Sequence, residues 1–201
     1  MRYAANHKAD SRERIINSAR RLFNRRGFAD VTIDEIMKHA GLTRGGFYKH
    51  FKAKEDLYAH TVRQFLCLNP PERWQRKHVT SCADGPALAQ MIVNAYLSRD
   101  HLDDRPGSCP LVALPSDVAR GGAAVKVAFR QVLESLVAVF EGNLREPGAR
   151  ERALALVAMC VGAMVVARAV DQGRLADEFR EAARGHLFAT SGWGESVEEG
   201  R

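Results

Sequence analysis

Two short helical patterns meet at Gly41-Leu42-Thr43, and that junction leaves the chain few ways to fold around it. Before it, Thr32-Ile33-Asp34-Glu35 has the order of a capping box. There the Thr32 hydroxyl takes a free helix-end amide and the Glu35 carboxylate takes the Thr32 amide. Ile33, Ile36, Met37 and Ala40 then recur on one helical face. After the junction, Thr43 caps a further helix whose inward residues are Phe47 and Phe51. Glycine permits the tight turn, and Ile36, Ala40, Leu42 and Phe47 supply the apolar contacts that fix a helix crossing. The spacing predicts a helix-turn-helix over residues 33–51.

The rest of the chain reads as helix interrupted by breakers. Ile15, Ala19, Leu22 and Phe23 predict a first helix from about Asp10 to Arg26, ended by Gly27. A helix over about 54–68 stops at Pro70-Pro71. Further helices are expected over about 84–102, 108–120 (kinked at Pro115), 123–144, 149–171 and 174–190. No strand-like alternation and no internal repeat occurs. The prediction is all-α, with about nine helices. Three helices over residues 1–53 are expected to precede a longer helical region over residues 54–201.

Charge is unevenly placed. Residues 1–63 hold 14 Lys/Arg against 7 Asp/Glu, while the remainder holds 16 against 17. A basic third on a neutral body suits a nucleic-acid binder, though charge alone equally suits a solvated surface. In a helix-turn-helix the start of the second helix lies against base edges in the major groove. Here that start is Thr43, Arg44, Gly45 and Gly46. The Arg44 fork matches the O6/N7 edge of guanine. The two glycines let backbone approach the bases. Thr43, Tyr48 and His50 can donate to phosphate, and Lys49, Lys52 and Lys54 add positive charge. Thr32 and the amides near Lys54 are candidate phosphate sites at helix starts. Arg2, Lys8 and Arg12 form an arm able to cross the backbone or enter the minor groove.

The stretch Gly27–Leu57, GFADVTIDEIMKHAGLTRGGFYKHFKAKEDL, resembles the DNA-binding domain of the TetR family of regulators. The matching positions are Gly27, Phe28, Thr32, Ile36, Ala40, Gly41, Thr43, Gly45, Phe47, Tyr48, His50, Phe51, Lys54, Glu55 and Leu57. Family members usually carry a smaller residue where Met37 stands, a departure that bears on packing. The resemblance implies a homodimer on a palindromic operator in double-stranded DNA. It also implies a later helical region that binds a small-molecule inducer and dimerises through the last two helices.

The sequence supports the dimer separately. Residues 153–170, ALALVAMCVGAMVVARAV, are apolar nearly all round, with Ala155, Ala158, Gly162 and Ala169 near one face. The last helix offers Leu175, Phe179, Ala182, Ala183, His186 and Leu187. Pairing over residues 149–190 with a symmetry mate is expected, and burial in a monomer core is the alternative. Candidate inducer contacts are Phe65, Trp74, Met91, Tyr96, Cys109, Leu111, Phe129 and Met164, each of which also suits a plain core position. Cys109 follows Pro106-Gly107-Ser108 at a predicted helix start, where free amides lower a thiol pKa. This makes it a candidate sensor of oxidants or electrophiles, a role some family members give to a cysteine; a buried apolar role is the alternative.

The expected mechanism is repression relieved by ligand, with the helix after Lys54 swinging and the half-site spacing lost. An activator without ligand is the alternative. No G-x-S-x-G, P-loop, Rossmann glycine run or HExxH occurs, so no enzyme is expected. The four cysteines fit no zinc module, so no metal or other cofactor is expected. No apolar stretch opens the chain, and the longest apolar run, Val157 to Ala167, is shorter than a bilayer span. A cytoplasmic protein without a membrane partner is expected.

Overall fold

The computed structural model describes residues 2–67, 85–144, 147–170, 173–191 and 193. Among these every regular element is a helix: α1 (Arg2–Arg26), α2 (Ile33–His39), α3 (Arg44–Lys49), α4 (Lys54–Cys67), α5 (Gly85–Tyr96), α6 (Arg99–Asp103), α7 (Pro110–Ala113), α8 (Pro115–Arg120), α9 (Ala123–Asn143), α10 (Ala149–Ala169) and α11 (Gly173–Thr190). The all-α prediction holds, with eleven helices where about nine were expected.

The two extra helices come from local breaks. At Ser98 the backbone is extended (ψ 157°), and the Ser98 hydroxyl accepts the His101 N–H at 3.1 Å, so one expected helix becomes α5 and α6. At Leu114 the following proline ring disfavours helix, and the kink expected at Pro115 becomes a break between α7 and α8. Two further differences concern the N-terminal third. The helix expected from Asp10 begins at Arg2, so the supposed arm is helical. The second motif helix, α3, is a 3-10 helix of six residues.

The described residues form two compact units. The first combines Met1–Cys67 with Arg105–Val132, and the second combines Leu68–Asp104 with Leu133–Arg201. Compactness thus follows a different partition from the functional division expected at residues 53/54.

In the first unit α1 lies against α2 and α4. Ile15, Ala19, Phe23, Ile36, Phe47, Phe51, Leu57 and Val62 are buried between them. The Gly27 N–H donates to the Phe23 carbonyl at 2.8 Å and ends α1 at a φ of 81°, in the left-handed region where glycine carries no Cβ penalty. A Cβ at Gly27 would stand 2.9 Å from the Asp117 Oδ2. That oxygen accepts the Phe28 N–H at 3.0 Å. The Asn24 amide donates to the carbonyls of Pro106 and Ser108 at 3.2 and 3.0 Å. Residues far apart in sequence thereby hold the α1–α2 turn.

In the second unit α10 packs along α11. Ala153, Leu156, Val157, Cys160, Met164 and Ala167 bury one face of α10. Burial pushes the Cys160 thiol up to about 12. Arg180 of α11 is buried and donates to the Leu97 carbonyl and the Asp177 carboxylate. The whole of α10, 21 residues, is long and apolar enough to cross a bilayer, unlike the shorter run within it; 33% of its most apolar window is buried in the protomer.

Candidate nucleic-acid interface

The capping box at the start of α2 is formed as the sequence orders it. The Glu35 N–H donates to the Thr32 hydroxyl at 3.2 Å, and the Thr32 N–H donates to the Glu35 carboxylate at 2.8 Å. Arg26 adds an ion pair to Glu35 at 2.8 Å. The Thr32 amide first, and then Arg26, hold the Glu35 carboxyl down at about 2. Thr32 is exposed, with its hydroxyl committed to this cap.

Phe47 and Phe51, 0% and 2% exposed, anchor α3 and the residues after it to the core. With Phe47 turned in, the opposite edge of α3 faces outward. Thr43, Arg44, Gly45, Tyr48 and Lys49 are all exposed, and Gly46 is half-buried. The Tyr48 side chain, 61% exposed, stands edge-on to Phe47 with ring centroids 5.2 Å apart. Thr43 precedes α3 without making a side-chain cap. Arg44 pairs with Asp34 at 2.7 Å, both side chains being exposed. Asp34 is a partner that sequence reasoning missed, although its position ten residues back offered a charge signal. Gly45 has nothing within 4 Å of where a Cβ would sit, whereas at Gly46 a Cβ would rest 3.5 Å from the Met37 methyl. Met37, 1% exposed, therefore fills the space beneath Gly46.

His50 and Lys54 have more enclosed settings. His50 is half-buried, with its Nδ1 lacking a hydrogen-bond partner. Burial, and after it the charges of Lys8, Arg12 and Lys49, lower its pKa and keep the ring neutral. The Lys54 ammonium lies 4.2 Å from the centre of the Phe28 ring and donates to the Ala29 carbonyl at 3.4 Å. Burial lowers its pKa. Just before α4, the Lys52 N–H is taken by the Asp56 carboxylate at 3.1 Å. Arg12, assigned to a free arm, has its guanidinium 5.1 Å over Phe51 and beside the His60 ring at 3.2 Å.

Residues 15–61 match the family model described as bacterial regulatory proteins, tetR family. The transcriptional regulator LmrA of Bacillus subtilis is 25% identical over 162 residues, covering 78% of this chain and 82% of LmrA. The helix-turn-helix regulator YerO of the same organism is 50% identical over 57 residues, which are 28% of this chain and only 20% of YerO. The helix-turn-helix region of this chain is that of the TetR family. Among solved structures, NemR of E. coli in its reduced form superposes with a TM-score of 0.74 at 19% identity, covering 89% of this chain and 95% of NemR. A TetR-family regulator from Agrobacterium tumefaciens gives 0.71 at 19% identity, covering 89% and 98%. At these identities the structures establish the fold.

Outside that region the candidate inducer contacts fall in both compact units. Phe65, Cys109, Leu111 and Phe129 belong to the first, and Met91, Tyr96 and Met164 to the second. Phe65, Tyr96, Cys109, Leu111 and Met164 are buried, while Met91 and Phe129 are half-buried. Trp74 lies outside the described residues. Cys109 does stand at the start of α7, but that helix has four residues and Cys109 is 2% exposed.

The apolar face named in the sequence is uncovered within the protomer. Ala155, Ala158, Gly162 and Ala169 are exposed, and so are Leu154, Val165 and Val166 on the same helix. On α11, Leu175, Phe179, Ala182 and His186 are exposed, Ala183 is half-buried and Leu187 is buried. Among the described residues no cluster of three or more His, Cys, Asp or Glu is arranged to hold a metal.

Proposed function

We propose that this protein is a homodimeric repressor that binds a palindromic operator in double-stranded DNA and is released by a small-molecule inducer, acting in the cytoplasm. In this reading residues 1–53 contact DNA, and residues 54–201 hold the inducer and the dimer contacts. The observation that carries it is the outward edge of α3, where Thr43, Arg44, Gly45, Tyr48 and Lys49 stand exposed while Phe47 locks the opposite edge into the core. That edge offers a bidentate donor, two polar side chains and bare backbone, a set suited to a major groove. In the free protein Arg44 is parked on Asp34, an exposed pair that guanine can displace at small cost.

The dimer rests on the uncovered apolar faces of α10 and α11. Leu154 and Phe179 are 48% and 42% exposed, a load of exposed large apolar side chains that a partner helix pair would bury. Two copies related by a two-fold axis would present two α3 edges to half-sites about one DNA turn apart. An inducer would need to bind the non-DNA conformation better, and a typical coupling of ~1–3 kcal/mol lowers operator affinity ~5–150-fold. Cys109 is buried at 2% exposure, which disfavours a thiol sensor and favours a bound inducer.

The test is selection of bound duplexes from a random pool, followed by titration of the winner at rising salt. A palindromic consensus and an affinity that falls steeply with salt are expected. A protein with no salt-sensitive affinity for any duplex would refute the proposal.

A further inference from the structure

An open groove of about 510 Å³ runs between α1 and the end of α2, within the first compact unit. One wall is Arg14, Asn17, Ser18 and Arg21, spaced to share a face of α1, and the other is His39, Ala40 and Gly41. Arg14, Arg21 and His39 are exposed, so a partner reaches them directly. Among the described residues no carboxylate lines the groove.

The groove is held in shape from beneath. Ser18 is 3% exposed, and its hydroxyl donates to the Ile36 carbonyl at 2.9 Å. With its one proton used there, it accepts the His39 Nδ1–H at 2.9 Å, which fixes the ring. A helix C-terminus repels anions through its free carbonyls. Here the Arg14 guanidinium donates to the Ala40 carbonyl at 2.6 Å and covers that end. Gly41, at a φ of 65°, leaves room for it, since a Cβ there would stand 2.9 Å from the Arg14 Nη2.

Both arginines keep donors to spare. Arg14 uses one bond of its fork, and the Arg21 guanidinium has no ion pair or hydrogen bond among the described residues. Arg26, Arg44, Arg99 and Arg120, by contrast, pair with carboxylates. Arg14 and Arg21 stand about 10 Å apart along α1, a spacing that suits a row of phosphates better than one small anion. The groove also borders the motif, because Ala40 and Gly41 lead into α3. The first helix of a helix-turn-helix crosses the sugar-phosphate backbone while the second enters the major groove, and α2 is that first helix.

We propose that this groove is a second contact with operator DNA, in which Arg21 and Arg14 grip the sugar-phosphate backbone beside the half-site. The contact rests on the operator binding proposed for α3 and adds a surface outside that edge.

The test uses the full-length protein and the duplex selected from the random pool, in anisotropy titrations at rising salt. Arg21→Gln should weaken binding about tenfold, equally for that duplex and for a scrambled one, because a phosphate contact carries no base information. The slope of log affinity against log salt should fall by about 2, one released ion per protomer of the dimer. The variant should melt at the wild-type temperature, since Arg21 has no bond to lose. Neutral methylphosphonates placed singly in the selected duplex should reveal, in each half-site, a position that weakens the wild type and leaves Arg21→Gln unchanged. Wild-type affinity and salt slope in Arg21→Gln, a loss confined to the selected sequence, or equal sensitivity of both proteins at every methylphosphonate would each overturn the groove contact alone. A wild type that binds no duplex would overturn operator binding itself and the groove contact with it.

Discussion

Two glycines in this chain share a φ of 81° and differ in what surrounds them, which makes a controlled pair. Gly148 has nothing within 4 Å of a built Cβ, whereas at Gly27 that atom would stand 2.9 Å from the Asp117 Oδ2. Gly148→Ala should therefore cost only the left-handed strain, about 1–2 kcal/mol. Gly27→Ala bears the same strain and also drives the Asp117 carboxylate off the Phe28 N–H. A hydrogen bond to a charged group contributes roughly 1.5–3 kcal/mol. Asp117 has a 19% exposed side chain, so the lower end applies and the total should be about 3 kcal/mol. In an Asp117→Ala background the clash and the bond are both gone, and Gly27→Ala should fall back to the Gly148→Ala cost. Urea denaturation followed by far-ultraviolet circular dichroism measures all four variants. Equal costs at the two glycines, or an undiminished Gly27→Ala cost without Asp117, would refute the role given to Asp117.

Four further outcomes are expected. Arg44→Ala should lose ~1–3 kcal/mol of operator affinity and relax one base preference, with stability altered by less than about 0.5 kcal/mol because its Asp34 pair is exposed; gel shifts and melting read both. Glu35→Gln should be less stable than wild type at neutral pH. The Glu35 pKa is depressed in the folded state from 4.5 to about 2, so its contribution is present above pH 4.5 and disappears as pH falls through that window; melting against pH checks the convergence. Phe179→Glu should shift the protein toward monomer in sedimentation, since it places a charge in the apolar face proposed to pair. Cys109 in the native protein should alkylate more slowly than free cysteine, given its 2% exposure, when wild type is compared with Cys109→Ser.

The helix-turn-helix was legible because its signals are local. The Thr32–Glu35 box, the Gly27 stop, and the inward pair Phe47 and Phe51 each depend on neighbours within a turn or two. The breaks at Ser98 and Leu114 were less visible, since serine also occurs inside helices and a proline signals either a kink or a stop. Lys54 shows the limit most clearly. Its spacing suggested an exposed cation, but its ammonium is turned onto Phe28 and the Ala29 carbonyl, a placement set by tertiary contact. Asp117 was invisible for the same reason: it holds a turn 89 residues away, and no local pattern marks it.

The 3-10 form of α3 has an evolutionary consequence. With three residues per turn, positions three apart eclipse one another, so α3 has three rows: Arg44 with Phe47, Gly45 with Tyr48, and Gly46 with Lys49. In the first row Phe47 is in the core while Arg44 stays exposed, and the third is backed by the Met37 methyl at Gly46. Only at Gly45 can a side chain be added into empty space. A lineage of this protein could thus gain a new side chain on the outer edge of α3 by drift at one codon with little loss of stability, whereas growth at Gly46 would press on Met37.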